Sequence, residues 1–377
     1  MRASILKAVC VVIVCGAAAM AIPANAAGFS ETKNFSSNSL TVTNLIGEVR
    51  VTGHDGDGFE VVVDVQGDDA SRESVELEAN ANSLTVVFPK SRHYVYPGLD
   101  TDRTVSFRPN NSSESWLGAL LGSSKVMVAR RGSGPEVWAD IEVRVPEGGR
   151  LQLRHGAGAV VAKNLAGDLS LDSHYGKVTV DSVDGDLLVD TGSGDVSVAQ
   201  VNGDVDIDTG SGDVDVDAVQ SRDVGIDTGS GDVTLTDVTA AGDVSVDTGS
   251  GDVSLTSVSG DEFEIDTGSG DVDGTGVRAE SALIDTGSGS VGFSLAEMGR
   301  GYFEIDTGSG GITLALPAGA GCSVEADAGS GGVHVDVTGV KDMRRDGDDE
   351  VEFTLGGGGA RVSLDSGSGA IRIIESN

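Results

Sequence analysis

The chain has little cysteine, proline or aromatic residue, and each shortage limits what it can be. Only three of its 377 residues are cysteine. Cys10 and Cys15 lie in the first 26 residues, which leaves Cys322 alone in the rest of the chain and excludes an intrachain disulfide there. No proline occurs between Pro146 and Pro317. That gap favours an uninterrupted ladder of strands, because proline removes a backbone hydrogen-bond donor.

Basic residues are also scarce. There are 25 of them against 60 acidic residues, and the net charge is −35. A surface of this sign repels polyanions, so the composition argues against nucleic acid and anionic lipid as partners. It attracts cations instead.

The first 26 residues are predicted to be a signal peptide. Arg2 and Lys7 precede an apolar run from Ala8 to Ile22, and Ala24-Asn25-Ala26 supplies the small-x-small pattern before a cleavage site. The run is shorter than the roughly 18 apolar residues that a spanning helix needs, and no later segment reaches that length. We therefore expect a protein that does not span the membrane and is exported to the periplasm, the cell surface or the extracellular medium.

One pentapeptide, Asp-Thr-Gly-Ser-Gly, recurs unchanged along the chain. Near-copies begin at Asp327 and Asp365, and degenerate copies begin at Arg154 and Asp172. A period of about 19 residues is typical of stacked-repeat architectures. The unchanged copies begin at Asp190, Asp208, Asp227, Asp247, Asp266, Asp285 and Asp306.

Within each repeat, apolar and acidic residues alternate, as in Asp204-Val205-Asp206-Ile207-Asp208. Strict alternation predicts half-buried strands, two per repeat, joined by a glycine-rich turn and a second turn. A flat meander of so many strands would leave long edges. We therefore predict an all-β fold, a parallel β-solenoid that resembles a single-stranded β-helix with about 19 residues per turn.

Three regions follow from these patterns. Residues 1–26 are the signal peptide, 27–150 a diverged opening β region, and 151–377 the repeat solenoid, which Ile371–Ile374 is expected to close. The opening region contains a long loop at about 89–131 that is rich in basic and aromatic residues, and long loops of this kind are either functional or mobile. Its candidate recognition residues are Arg92, Tyr94, Tyr96, Arg103, Arg108 and Trp116.

The aspartates raise two chemical hypotheses. Asp-Thr-Gly occurs in aspartic peptidases, but that chemistry needs two carboxylates face to face, whereas stacking places these copies in a row. Calcium fits better, because stacked carboxylates repel and calcium prefers oxygen ligands. No other cofactor is expected. The candidate calcium residues are Asp195, Asp213, Asp232, Asp252 and Asp271.

A carbohydrate-active enzyme is a further alternative, since parallel β-helices can carry such chemistry. It would need a cluster of carboxylates with a basic or aromatic partner, and basic residues are scattered singly through the repeats. The five histidines show no metal-ligand spacing. We expect no catalytic residues and no enzyme activity.

The run Ile141-Glu142-Val143-Arg144-Val145-Pro146, with Leu151-Gln152-Leu153 and the Gly-Asp turns after it, is similar to a bacterial family of exported β-strand repeats. The opening Leu45–Val51 resembles the first strands of that family. Its members are described as candidate adhesins of largely undetermined function. The resemblance implies an envelope-associated β-solenoid without catalytic residues. We therefore expect an adhesin-like scaffold that binds a polymer or protein of the cell surface or envelope, with a calcium-stabilised binding module as the alternative.

Overall fold

The computed structural model describes residues 28–107, Trp116 and residues 125–376. The predicted signal peptide and Arg108 lie outside the described residues. The strands of the opening region are β1 (Phe29–Phe35), β2 (Ser39–Ile46), β3 (Val49–His54), β4 (Phe59–Gln66), β5 (Glu76–Ala79), β6 (Ser83–Val87), β7 (His93–Val95), β8 (Val105–Phe107), β9 (Val126–Ala129) and β10 (Trp138–Pro146).

The strands of the repeats are β11 (Gly149–Ala157), β12 (Val160–Tyr175), β13 (Val178–Asp184), β14 (Leu187–Thr191), β15 (Val196–Asn202), β16 (Val205–Thr209), β17 (Val214–Asp217), β18 (Gln220–Ser221), β19 (Val224–Thr228), β20 (Val233–Thr236), β21 (Thr239–Ala240), β22 (Val244–Thr248), β23 (Val253–Thr256), β24 (Ser259–Thr267), β25 (Val272–Thr286), β26 (Val291–Met298), β27 (Tyr302–Thr307) and β28 (Ile312–Leu316). The final strands are β29 (Cys322–Asp327), β30 (Val333–Asp336), β31 (Val340–Asp346), β32 (Glu350–Leu355), β33 (Ala360–Ser366) and β34 (Ile371–Glu375).

The repeats stack as a parallel β-solenoid, which confirms the predicted fold. Asp190 pairs with Asp208, and Asp208 with Asp227, so each pentapeptide lies directly on the next. The step between paired residues is therefore one repeat. Val205 and Ile207 are buried while Asp206 and Asp208 are exposed, as the alternation requires.

The turns from β11 to β26 contain one strand more than the sequence indicated. After β16 and β17, the chain passes a corner residue, Ala218, at φ 55° and adds the two-residue strand β18. In other turns the third strand is the last part of a longer strand that runs past the corner, as in β13 and β15. The short third strand escapes a search for alternation because two residues cannot show a period.

The third corner repeats through the stack as a column of left-handed residues, an unusual backbone for residues with a Cβ. Each is followed by a buried Leu or Val, such as Leu165 or Val201, so the corner directs one more apolar side chain into the core. The corner residues are Asn164, Ser182, Gln200, Ala218, Asp237 and Ser257, with φ between 52° and 63°.

The opening region combines parallel and antiparallel pairing. β2 lies parallel to β11, and β3 lies parallel to β10 and β12, so these strands form the first turn of the stack. β4 is antiparallel to both β1 and β10 and lies between them, so these strands extend the sheet beyond β3. The division into an opening region and a repeat region at residue 150 remains a prediction.

The last turn is not at the end of the stack. β33 lies between β27 and β29, and β34 lies between β28 and β30, so the turn containing Asp365 is intercalated. The expectation that Ile371–Ile374 closes the solenoid is therefore wrong. The outer layer is instead β29 and β30 with the hairpin β31–β32, and β31 carries charged side chains along its edge. Charged edge strands discourage pairing with another sheet.

Among the described residues, no helix has the length and apolar character needed to cross a membrane.

Candidate binding face

The pentapeptide turns its threonine inward and its aspartate outward. The seven threonines are buried and stack in register inside the solenoid. The hydroxyl of Thr248 donates to the carbonyl oxygen of Gly231 one turn below at 3.1 Å, and it accepts from the Gly251 amide at 3.1 Å. The same pair of bonds recurs at Thr267, Thr286, Thr307 and Ser366.

The second glycine of the pentapeptide is required by close packing. A Cβ built on Gly251 would lie 1.7 Å from the carbonyl oxygen of Gly231 in the turn below. Any side chain there would push the two turns apart. The sequence repeats this glycine because the turns approach each other closely at this point.

The pentapeptide aspartates form one outward row. Partial burial, and then the neighbouring carboxylates of the row, raise the pKa values of Asp190, Asp247 and Asp306. The carboxylates follow one another along the stack. Peptidase chemistry would need two carboxylates that face each other across a cleft, and this row does not provide them.

The predicted calcium aspartates lie in a second row and are used by the backbone. The Oδ1 atom of Asp213 accepts the Asp232 amide at 3.1 Å, and that of Asp252 accepts the Asp271 amide at 2.8 Å. Asp195, Asp232 and Asp271 make the same contact with the residue above each. In the described part of the chain, no group of three His, Cys, Asp or Glu side chains could hold a metal. Calcium binding at this row remains a prediction.

The described part of the predicted recognition loop packs against the side of the solenoid. Tyr94 and Tyr96 are buried, and burial raises the pKa of both phenols. Arg92 and Arg103 are exposed. The Trp116 indole N–H donates to Asp172 Oδ2 at 2.6 Å. The described candidate residues are therefore not all exposed on one surface, and their role in recognition remains a prediction.

The loop meets the repeats at one degenerate turn. The Trp116 ring lies 5.7 Å from the His174 ring between centroids, and the Tyr175 hydroxyl donates to Asp100 Oδ1 at 2.9 Å. The sequence departs from Asp-Thr-Gly-Ser-Gly at this turn, where it reads Asp172-Ser173-His174-Tyr175-Gly176. The exchange of the usual turn residues for His and Tyr provides the surface on which the loop packs.

His155 continues the threonine column at the opening end of the solenoid. It pairs with Asn44 on one side and Ser173 on the other, and its side chain is fully buried. Neither ring nitrogen has a hydrogen-bond partner among the described residues. Burial lowers the pKa of His155 to about 4, although nearby backbone groups of Gly47, Asn44 and Gly158 oppose the shift.

The outward side chains of β2, β11, β12, β14, β16 and β19 form a surface that we call the ladder face. A groove of about 890 Å³ runs along it across successive turns. Leu188 lies on its floor with 45% of its area exposed. The middle row of the face is Thr41, Gln152, Ser170, Leu188, Asp206 and Gly225.

An arginine lies near each end of this groove. Arg150 donates to Asp168 Oδ2 at 3.2 Å, and Arg222 donates to Asp204 at 2.9 Å and to Asp223 at 2.7 Å. Sequence reasoning missed the groove. The available signal was Leu187-Leu188-Val189, where a leucine occupies the outward position that aspartate holds in the next repeat.

The fold and its repeated outward rows define the class as a β-strand-repeat solenoid. The chain belongs to the Toastrack DUF4097 family, a family of unknown function whose profile matches residues 61–239 and 202–374. This confirms the resemblance seen in the sequence. No match was found among curated proteins.

Three solved structures align with nearly the whole chain at low identity. A candidate cell adhesion protein from Clostridium sporogenes is 12% identical, covers 93% of this chain and 100% of its own, and has a TM-score of 0.17. A candidate adhesin from Bacteroides fragilis is 13% identical, covers 92% of this chain and 97% of its own, and has a TM-score of 0.24. A candidate adhesin from Parabacteroides distasonis is 14% identical, covers 92% of this chain and 98% of its own, and has a TM-score of 0.30. At these TM-scores no property of the three proteins is transferred to this chain.

Proposed function

We propose that the protein is an exported, non-enzymatic scaffold of the adhesin type, which binds a polymer or protein of the cell surface or envelope through its ladder face. The observation that carries the proposal is the groove, in which a half-exposed leucine lies between two arginines on a regular β surface. Binding sites of this kind combine an apolar floor with a few placed polar groups.

The sequence and the fold support the remaining parts of the proposal. The predicted signal peptide supports export to the periplasm, the cell surface or the medium. Stacked turns that contact only their neighbours build a long, continuous surface, which suits binding to an extended partner. The pentapeptide carboxylates stand in a row along the stack, which supports a role without peptidase chemistry.

The test is binding of the chain without residues 1–26 to envelopes isolated from the producing bacterium. Leu188→Asp places a charge on the groove floor and is expected to weaken binding at least about tenfold. Leu283→Asp is the matched control, because Leu283 occupies the same row of the stack outside the groove. Equal binding by both variants, or no binding by the natural chain, would overturn the proposal.

Calcium dependence is a separate prediction about the second aspartate row. If the carboxylates of Asp213, Asp232 and Asp252 share ions, millimolar calcium should raise the melting temperature well above the value in chelator. Magnesium is the control, since simple charge screening would act equally with both ions. Equal small shifts would show that the row binds no specific ion.

A further inference from the structure

We infer that the groove on the ladder face binds an uncharged polysaccharide strand that lies along the axis of the solenoid. The inference rests on the proposed function and names the partner class for the same site. It follows from the charge of the groove, its apolar floor, the ion pairs of its two arginines and the pairing of its strands.

The charge of the groove excludes an acidic polymer. Its lining contains five carboxylates and only two guanidinium groups, Arg150 and Arg222. Both arginines already contact carboxylates, so they offer little free charge to an anion. The carboxylates of the groove are Asp168, Asp186, Asp204, Asp206 and Asp223.

The same ion pairs suit hydroxyl groups. A guanidinium beside a carboxylate presents N–H donors next to oxygen acceptors, which matches neighbouring hydroxyls that both donate and accept. The side chains of Arg150 and Arg222 are 76% and 72% exposed, so their remaining donors reach solvent. The amide of Gln152 and the hydroxyl of Ser170 add donors and acceptors in the middle row.

The floor provides an apolar contact at the centre. Leu188 stands between Ser170 and Asp206 in the middle row, and Gly225 further along leaves space above the strand. The C–H face of a sugar ring can cover this leucine while its hydroxyls reach the flanking rows. A groove with one leucine and no stacked aromatic ring predicts modest affinity.

The repeat of the stack favours a polymer over a single sugar. Arg150 and Arg222 are four ladder steps apart, a distance of about 19 Å at the usual strand spacing of about 4.8 Å. A chain that lies along the axis meets equivalent outward positions at each turn. Several weak contacts then act together.

A peptide fits the groove less well. β12, β14 and β16 are paired on both sides, so the groove offers no free strand edge to which a peptide could add. A cationic peptide would match the carboxylates but would gain no main-chain hydrogen bonds from strands that are already paired. These features favour the sugar.

The experiment compares envelopes treated in two ways, using the chain without residues 1–26. Periodate cleaves the vicinal diols of sugars, and protease removes proteins. We expect binding to survive protease treatment, to fall at least about tenfold after periodate, and to fall equally with Leu188→Asp on untreated envelopes. Leu283→Asp should bind as the natural chain does.

A second pair of variants tests the arginine. Arg222→Gln should weaken binding to protease-treated envelopes, whereas Arg278→Gln, which removes an exposed arginine paired with Glu297 elsewhere, should not. Binding that survives periodate but not protease would overturn the inference and leave the proposed function intact. The absence of binding to untreated envelopes would overturn both.

Discussion

The two ends of the buried polar column differ in how the same kind of side chain is bonded. From Thr248 onward, each inward hydroxyl bridges two successive turns through a carbonyl and an amide. At the opening end, atoms of the inward polar side chains have no partner among the described residues. These atoms are Asn44 Oδ1, both ring nitrogens of His155, and the hydroxyl oxygens of Ser173, Thr191 and Thr209.

The difference lies in the turn backbone. Gly194 and Gly212, which follow Thr191 and Thr209, have φ of 139° and 149°. In the later turns the equivalent glycine, such as Gly251, donates its amide to the threonine hydroxyl. Identical pentapeptides thus form two different sets of hydrogen bonds. The comparison teaches that a repeated sequence does not guarantee a repeated set of hydrogen bonds.

The largest effect is expected from Thr267→Val in the bonded part of the column. Valine keeps the shape but removes the partner of the Gly251 carbonyl and of the Gly270 amide, both of them buried. Leaving two such groups unpaired should cost about 2–4 kcal/mol. Thermal unfolding and the hydrogen exchange of the Gly270 amide measure the loss. An effect no larger than that of the same change at Thr191 would contradict the comparison.

His155 should make the opening end sensitive to acid. Its pKa is about 4 in the folded chain and about 6.5 in the unfolded chain, so the unfolded state binds more protons between these values. The free energy of unfolding should therefore fall as the pH drops from about 6.5 to about 4, by about 3 kcal/mol in total. Hydrogen exchange of the opening turns at pH 7 and pH 4.5 would show the loss.

The control is His155→Asn, which places there the residue found one turn earlier at position 44. This variant should lose the acid response of the opening end. His174, whose burial also lowers its pKa, acts in the same direction, so His174→Gln separates the two contributions. The raised pKa of Asp190 acts in the opposite direction, because protonation removes a partly buried charge and then relieves its repulsion by Asp172 and Asp208. An acid response unchanged in His155→Asn would refute the assignment.

The smallest effect is expected from Thr191→Val. The Thr191 hydroxyl is buried without a partner among the described residues, so valine of the same shape should stabilise the chain by about 1 kcal/mol. The melting temperature of this variant beside that of Thr267→Val measures the contrast between the two ends. Destabilisation by Thr191→Val would mean that its hydroxyl is bonded after all.

The sequence predicted the stacked fold because alternation and the fixed step reflect strong, repeated forces. Val205 and Ile207 must face inward, and Gly251 must lack a side chain, wherever the turns stack. It could not distinguish Thr191 from Thr267, since their pentapeptides are identical and only the backbone differs. The groove was not predicted from the sequence because it depends on side chains from six turns, and Leu188 alone is an ordinary surface leucine.

The intercalated last turn has a consequence for how the chain can fold. From β11 to β28, each new turn can be added to the one before it as the chain emerges. Asp306, however, pairs with Asp365 and not with a residue about 20 positions later. β29 and β30 therefore cannot pack on β27 and β28 first without blocking the places of β33 and β34. Closing this longer loop costs about 1 kcal/mol more than an ordinary step. Synthesis from the N-terminus must therefore deliver β33 and β34 before β29 and β30 can complete the end of the solenoid.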